Sequence, residues 1–167
     1  MRIGLISDTH SFLDKRVSKY FSDCDEIWHA GDVGQYAVIN QLNRIAPVRA
    51  VYGNIDGPEI RKEFPEIDYF NCEGLSVYMI HIGGKPPQYA KGVLKDLKDK
   101  RPKLFICGHS HILKIMPDKN LENMIYMNPG AAGNHGFHKV KTLVRFEIIS
   151  GKIKNAEVIE LGLHGRA

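Results

Sequence analysis

MRIGLISDTH, residues 1–10, decides how the chain is read. Ile3-Gly4-Leu5-Ile6 is a short apolar run that stops at Ser7-Asp8, the pattern of a buried strand ending in polar residues. Behind it, Ser11 and Asp14 form a capping-box pattern, and Leu13, Val17, Tyr20 and Phe21 fall at helical spacing. A helix is therefore predicted from about Phe12 to Phe21. The unit then repeats. Glu26–His29 is a second short strand, ended by Ala30-Gly31-Asp32, and Val38, Ile39, Leu42 and Ile45 line a second helix that Pro47 stops. Val48–Tyr52 is a third strand, ended by Gly53-Asn54. Strand, helix, strand, helix, strand indicates a parallel sheet covered by helices, the α/β class.

The second half differs. Glu66–Asn71 and Leu75–Ile82 read as a hairpin turning near Glu73-Gly74, and Ala90, Val93, Leu94 and Leu97 mark a third helix. Lys103–Cys107 is a buried strand, Leu113–Met116 and Met124–Met127 are two more, and Leu143–Ile149 with Ile153–Leu161 form a hairpin at Ser150-Gly151. No long Gly/Ser/Pro linker interrupts the 167 residues, so one domain over 1–167 is expected.

Composition narrows the class. Hydrophobic residues make up 43% and charged residues 25%, ordinary for a globular domain and unlike a disordered chain, repeat array or coiled coil. The net charge of +4 comes from 23 basic and 19 acidic residues, partly in the stretch KGVLKDLKDKRPK between Lys91 and Lys103. This favours an anionic substrate but is too dilute for nucleic-acid binding. Cys24, Cys72 and Cys107 are odd in number and form no CxxC pair, which argues against a disulfide framework or zinc finger and fits a reducing cytosol. The apolar start is too short for a signal-peptide core, and nothing approaches the roughly 20 apolar residues of a membrane span. A cytoplasmic protein with no membrane partner is expected; a homo-oligomer is compatible with the sequence.

Metal-ligating residue types recur just after the apolar strands. Asp8 and His10 follow the first, Asp32 the second and Asn54 the third. His81 lies near the end of the strand begun at Leu75, and His109 and His111 follow the strand ending at Cys107. In open α/β sheets, ligands gather outside the carboxyl ends of strands. Singly, Gly-Asp and Gly-Asn are ordinary turn residues, and a lone histidine is more often packed than ligating. Together, carboxylate, imidazole and amide donors suit hard to borderline divalent ions. Seven are too many for one ion and enough for two. A carboxylate can bridge two ions about 3.5–4 Å apart, which would hold a bridging hydroxide and clamp a phosphoryl oxygen.

Asp8-Thr9-His10, Gly31-Asp32, Gly53-Asn54, His81 and Gly108-His109-Ser110-His111 resemble the motifs of the metallophosphoesterase (calcineurin-like) superfamily. The short length and Gly53-Asn54-Ile55-Asp56 are similar to its small bacterial and archaeal phosphodiesterase branch. The resemblance implies two packed mixed sheets with helices outside, an α/β/β/α sandwich. It also implies that Asp8, His10 and His111 hold one metal, that Asn54, His81 and His109 hold the other, and that Asp32 bridges them. Asp32, Asn54 and His109 become the expected catalytic residues. The expected cofactor is two divalent ions, Mn²⁺ first, with Ni²⁺, Fe²⁺, Co²⁺ and Zn²⁺ as alternatives. The expected substrate is a small-molecule phosphate ester. Asn128-Pro129-Gly130 resembles a family segment that supports the ligand loops.

Two departures bear on this. Many superfamily phosphatases carry a histidine after the asparagine, which helps the leaving group; here Ile55 cannot donate a proton, which favours phosphodiesters over phosphomonoesters. Asp56 or a metal-bound water is an alternative donor. His81 is followed by Ile82 where glycine is more usual. The alternatives are a phosphomonoesterase and a Vps29-like protein-binding scaffold of the same fold. Gly83-Gly84-Lys85 lacks the spacing of a phosphate loop. His135 and His138 are candidate substrate contacts, and His29 is expected to pack rather than ligate.

Overall fold

A computed structural model describes residues 1–163. The first sheet contains β1 (Arg2–Ile6), β2 (Glu26–His29), β3 (Val48–Ala50), β11 (Val140–Ile149) and β12 (Lys152–Leu163), in the order β12-β11-β1-β2-β3. β1, β2 and β3 are parallel, as the sequence predicts, and β11 and β12 extend the sheet antiparallel beyond β1. The second sheet runs β4-β5-β8-β10-β9, built from β4 (Ile67–Cys72), β5 (Leu75–Ile80), β8 (Leu104–Ile106), β9 (Leu113–Asp118) and β10 (Met124–Pro129). Its middle strands β5, β8 and β10 are parallel, and β4 and β9 flank them antiparallel. A small hairpin pairs β6 (Gly84–Lys85) with β7 (Gln88–Tyr89).

Alternation along the strands sorts side chains into three cores. Ile3, Leu5, Trp28 and Phe146 pack with Val77, Met79, Leu104 and Ile106 between the two sheets. Ile6, Ile27 and Leu143 turn to the other face and meet α1 (Val17–Phe21) and α2 (Ala37–Asn43) through Phe21, Val38, Ile39 and Leu42. Tyr78, Phe105 and Tyr126 pack against Val93 and Leu97 of α4 (Val93–Lys100). The layers are thus helix, sheet, sheet, helix, the sandwich expected. Gly4 explains how closely α1 lies on β1: a Cβ there would sit 2.8 Å from the Phe21 ring. Both predicted hairpin turns have two positive φ values, 49° and 83° at Glu73-Gly74 and 49° and 72° at Ser150-Gly151. Such turns match the twist of the strands they join. The tips also meet, Gly151 N donating to Glu73 O at 2.8 Å.

Several elements depart from the sequence reading. α1 begins at Val17 and not near Phe12. Ser11 has a left-handed φ of 69°, its amide donates to Val33 O at 2.9 Å, and its hydroxyl accepts from Gln35 N at 3.0 Å. Asp14 caps no earlier helix; it binds the Arg16 side chain and amide. α3 (Pro58–Glu63) was not anticipated, although Pro58 in its first turn, Glu59 there and Arg61-Lys62 in its last turn are helix signals. The β6–β7 hairpin was not anticipated either. β3 stops at Ala50 rather than Tyr52, and Leu94 is 37% exposed on the outer side of α4. Among the described residues no helix is long and apolar enough to cross a membrane.

Candidate metal centre

The carboxyl ends of β1, β2, β5 and β8 converge on one rim, and six of the seven predicted ligands gather there as two triads. Asp8, His10 and His111 form one, and Asp32, His81 and His109 the other; within each triad, one ligand atom per residue lies within 4.8 Å of the others. The triads adjoin. Asp32 Oδ1 lies 3.2 Å from His81 Nε2, while its Oδ2 lies 3.6 Å from His10 Nε2. Asp8 Oδ1 lies 3.1 Å from His111 Nε2 and 3.9 Å from His81 Nε2. Asp32 therefore faces both groups through its two oxygens. The seventh residue, Asn54, is exposed on the same rim and lines a cleft together with His81.

The backbone is bent to make this arrangement. Asp8, His10, Asp32, His109 and His111 all have left-handed φ values, between 46° and 68°. Non-glycine residues rarely adopt that conformation, and each instance costs about 1 kcal/mol or more. Five such residues in one cluster mark a place where the fold holds side chains against local preference. Glycines make room for them. A Cβ on Gly53 would lie 2.0 Å from Asp32 Oδ1, one on Gly108 2.8 Å from Asp8 Oδ2, and one on Gly136 2.1 Å from His111 Nδ1.

Surrounding hydrogen bonds fix which atoms face inward. Asp8 Oδ2 accepts from Ser7 Oγ at 2.6 Å and from His109 N at 3.1 Å, which leaves Oδ1 toward the site. His81 Nδ1 donates to Ala30 O at 2.8 Å, so the carbonyl sets the tautomer and Nε2 faces the carboxylates. Asn128 Nδ2 donates to Gly108 O at 2.8 Å and to Ser110 Oγ at 3.1 Å, and its Oδ1 accepts from Gly130 N at 2.9 Å. Asn128 thereby holds the loop that carries His109 and His111. Asp32 Oδ1 accepts from Ile55 N at 3.1 Å, which ties the Asn54 turn to Asp32.

Four residues complete the frame; of these the sequence suggested only the packed role of His29. Thr9 Oγ donates to Val33 O and accepts from His29 Nε2, both at 3.0 Å, while His29 Nδ1 accepts from Gly31 N at 3.1 Å. His29 is a fully buried strut beneath the candidate ligands; burial pushes its pKa down to about 4, so it is neutral. Asp56 accepts from Gly34 N and Gly53 N, both at 2.7 Å, one on each oxygen. Its carboxylate clamps two loops and is not presented to a leaving group, contrary to its expected place as an alternative donor. Arg61 of α3 donates to Asp56 O at 2.6 Å and Gly53 O at 3.0 Å, bracing the same turn. Arg61 could have been found only with its helix. His135 and His138 sit beside the first triad, with ring centroids 4.9 Å from His10 and 5.3 Å from His111 respectively.

The donor set fits divalent cations. Asp8 Oδ1, His10 Nε2 and His81 Nε2 are buried and have no hydrogen-bond partner, a costly state unless another group satisfies them. The field has the matching sign. Burial alone would lower the His81 pKa, but Asp32 and Asp8 outweigh it and raise it. Burial would likewise raise that of Asp32, yet His81, the Ile55 amide and His10 hold it below the usual carboxylate value. At His10 burial prevails and lowers the pKa despite Asp32 and Asp8. Paired carboxylates and neutral imidazole nitrogens are the ligands that Mn²⁺, Fe²⁺ or Zn²⁺ take.

Comparison with known proteins agrees with the geometry. The model of the calcineurin-like phosphoesterase superfamily domain matches residues 1–151. A probable metallophosphoesterase of Methanothermobacter thermautotrophicus is 31% identical over 171 residues, covering 97% of this chain and 94% of that protein. A probable metallophosphoesterase of Methanocaldococcus jannaschii is 33% identical over 138 residues, covering 78% of this chain and 68% of that protein. Among solved structures, wild-type Vps29 of Entamoeba histolytica in complex with Zn²⁺ matches with a TM-score of 0.74 at 16% identity, covering 96% of this chain and 99% of that one. At that identity the likeness concerns the fold alone.

Proposed function

The chain belongs to the calcineurin-like phosphoesterase superfamily, and from that premise we propose that it hydrolyses phosphodiesters with two divalent metal ions. Asp8, His10 and His111 would hold one ion; Asn54, His81 and His109 the other; Asp32 would be shared. The observation that carries this reading is the set of buried polar atoms without partners, Asp8 Oδ1, His10 Nε2 and His81 Nε2, where the two triads adjoin. When bound, such ions supply Lewis acidity toward a phosphoryl oxygen and nucleophilic water at neutral pH.

The chain's own residues set the rest of the chemistry. Ser7 and the His109 amide fix Asp8, Ala30 O fixes the tautomer of His81, and Asn128 holds the His109 loop, so the donors need little rearrangement on loading. Ile55, 46% exposed after Asn54, has no proton to give, and Asp56 is occupied by two amides. Ester oxygens that leave without prompt protonation are therefore favoured, which supports diesters and activated esters over ordinary phosphomonoesters. Mn²⁺ is the expected metal; Zn²⁺, present in the Entamoeba Vps29 structure, is an alternative. Three free, buried cysteines are compatible with a cytoplasmic location.

Elemental analysis, together with turnover of bis-p-nitrophenyl phosphate and p-nitrophenyl phosphate in added Mn²⁺, tests the proposal. The expected result is two ions per chain and faster hydrolysis of the diester. Asp32→Ala and Asn54→Ala should each remove most turnover while circular dichroism stays native. Wild-type rates in both variants would place the site elsewhere. Absence of bound metal, with no hydrolysis under any divalent ion, would favour the scaffold.

A further inference from the structure

We propose that the cleft beside His109 binds a second phosphate group of the substrate, so that the preferred diester bears a phosphate on the part that does not leave. This rests on the hydrolase reading above and narrows its substrate class. The cleft lies between the β6–β7 hairpin and the start of β9 and encloses about 350 Å³, within the range of small-ligand sites, about 300–1,000 Å³. His109 forms part of its wall, so its occupant adjoins the second triad. Two ammonium groups, Lys85 and Lys114, line it, and no carboxylate does. Among the described residues neither lysine has an ion-pair partner.

The two lysines are carried on held backbone. Gly84, next to Lys85, accepts from Tyr126 Oη at 3.1 Å and from Cys107 Sγ at 3.5 Å, which pins the hairpin to β8 and β10. The hairpin is folded tightly, for a Cβ on Gly84 would lie 2.6 Å from Ala90 N. Lys114 is half-buried on β9, in register with Asn128 of β10, the residue that holds the His109 loop. The spacing from Lys114 to His109 is thus set by the sheet. Ser110 adds a donor: its Oγ accepts from Asn128 Nδ2 and from Ile112 N, which leaves its hydroxyl hydrogen for an anion. The cleft on the other side of His81 contrasts with this. There Arg61 is engaged by backbone carbonyls and stacked 4.2 Å over the Tyr52 ring, and the Glu66 carboxylate offsets the remaining ammonium group, Lys91. That side suits an aryl leaving group, which departs without prompt protonation.

The test compares ethyl p-nitrophenyl phosphate with its analogue carrying a phosphate on the terminal ethyl carbon, using the Mn²⁺-loaded protein. The leaving group is the same in both. The wild type should show a KM about tenfold lower for the phosphate-bearing ester, the size expected of two partly exposed charge contacts. The double variant Lys85→Gln/Lys114→Gln should lose that preference while kcat and KM for the plain ethyl ester stay unchanged. Equal KM values in the wild type, or a preference that survives the double variant, would overturn the anion site. Hydrolysis of neither ester sinks the hydrolase reading instead. Titration calorimetry of the phosphate-bearing ester then decides the cleft: weaker binding by the double variant supports it, and equal affinity overturns it.

Discussion

Gly53→Ala would place a methyl group 2.0 Å from Asp32 Oδ1 and 2.4 Å from the Asp32 backbone nitrogen. Ordinary contact begins near 3.4 Å, so roughly 1.4 Å must be found between the two loops. Rotating the Asp32 side chain relieves only the first clash; the second is with backbone. Neither loop is free to give way, because Asp56 holds Gly53 N and Gly34 N at 2.7 Å each and Arg61 holds Gly53 O. Overpacking of this kind costs about 1–3 kcal/mol, or roughly 2–12 °C in Tm for a chain of this size. The larger effect is on the site. Moving Asp32 by about 1 Å breaks its register with both His81 and His10, and misplacement of that order costs about 10²-fold in rate. Calorimetry, metal content and turnover of bis-p-nitrophenyl phosphate are measured together. Gly57→Ala, four residues on, is the control, since a Cβ there meets nothing within 4 Å and its φ of −80° is ordinary. It should change stability by less than about 1 kcal/mol and leave turnover intact. A Gly53→Ala protein with native Tm, metal content and rate would refute the claim that this glycine exists to admit the Asp32 carboxylate.

Asn128→Ala removes the support of Gly108 O, Ser110 Oγ and Gly130 N, and metal affinity should fall about 10–100-fold in a competition titration with a chelator while the sheets remain folded. Asp14→Asn leaves Lys141, 1% exposed and 3.0 Å from Asp14 Oδ2, as an uncompensated buried charge; denaturant melts at pH 7 should show a loss of about 3 kcal/mol. The Arg16 guanidinium, against the opposing effect of burial and aided by Lys141, holds the Asp14 pKa well below the usual carboxylate range. Its contribution is therefore complete above the unfolded value of about 3.9 and fades as pH falls toward the folded one. Acid melts of the wild type should steepen below about pH 4, and the Asn variant should be flatter there; parallel curves would assign acid sensitivity to other groups.

What the sequence revealed follows from how local each determinant is. Strand ends were legible because a run such as Ile3–Ile6 or Lys103–Cys107 gives way abruptly to polar residues, and the candidate ligands are those polar residues. Glu73-Gly74 and Ser150-Gly151 were legible as turns because a two-residue hairpin loop restricts its own residue types. The early start given to α1 failed because its apparent cap serves distant partners. Ser11 bonds to the loop after β2, and Asp14 pairs with Lys141, 127 residues away. Asp56 and Thr9 were illegible for the same reason: an Asp or Thr beside a ligand looks identical whether it faces substrate or braces a loop. Only the positions of Gly34 N and of His29 distinguish the two.

The left-handed backbone at five rim positions has a consequence for how such a centre comes into being. Asp, Asn and His are the side-chain-bearing residues most at ease at positive φ, and they are also oxygen and nitrogen donors. A chain that needs a sharp turn at the end of a parallel strand already draws on that short alphabet for conformational reasons. Turning an inert turn into a metal-binding one is then a matter of position and not of residue type. Several such turns on one rim place cation-binding chemistry within a few substitutions of a plain scaffold, and the reverse path is equally short.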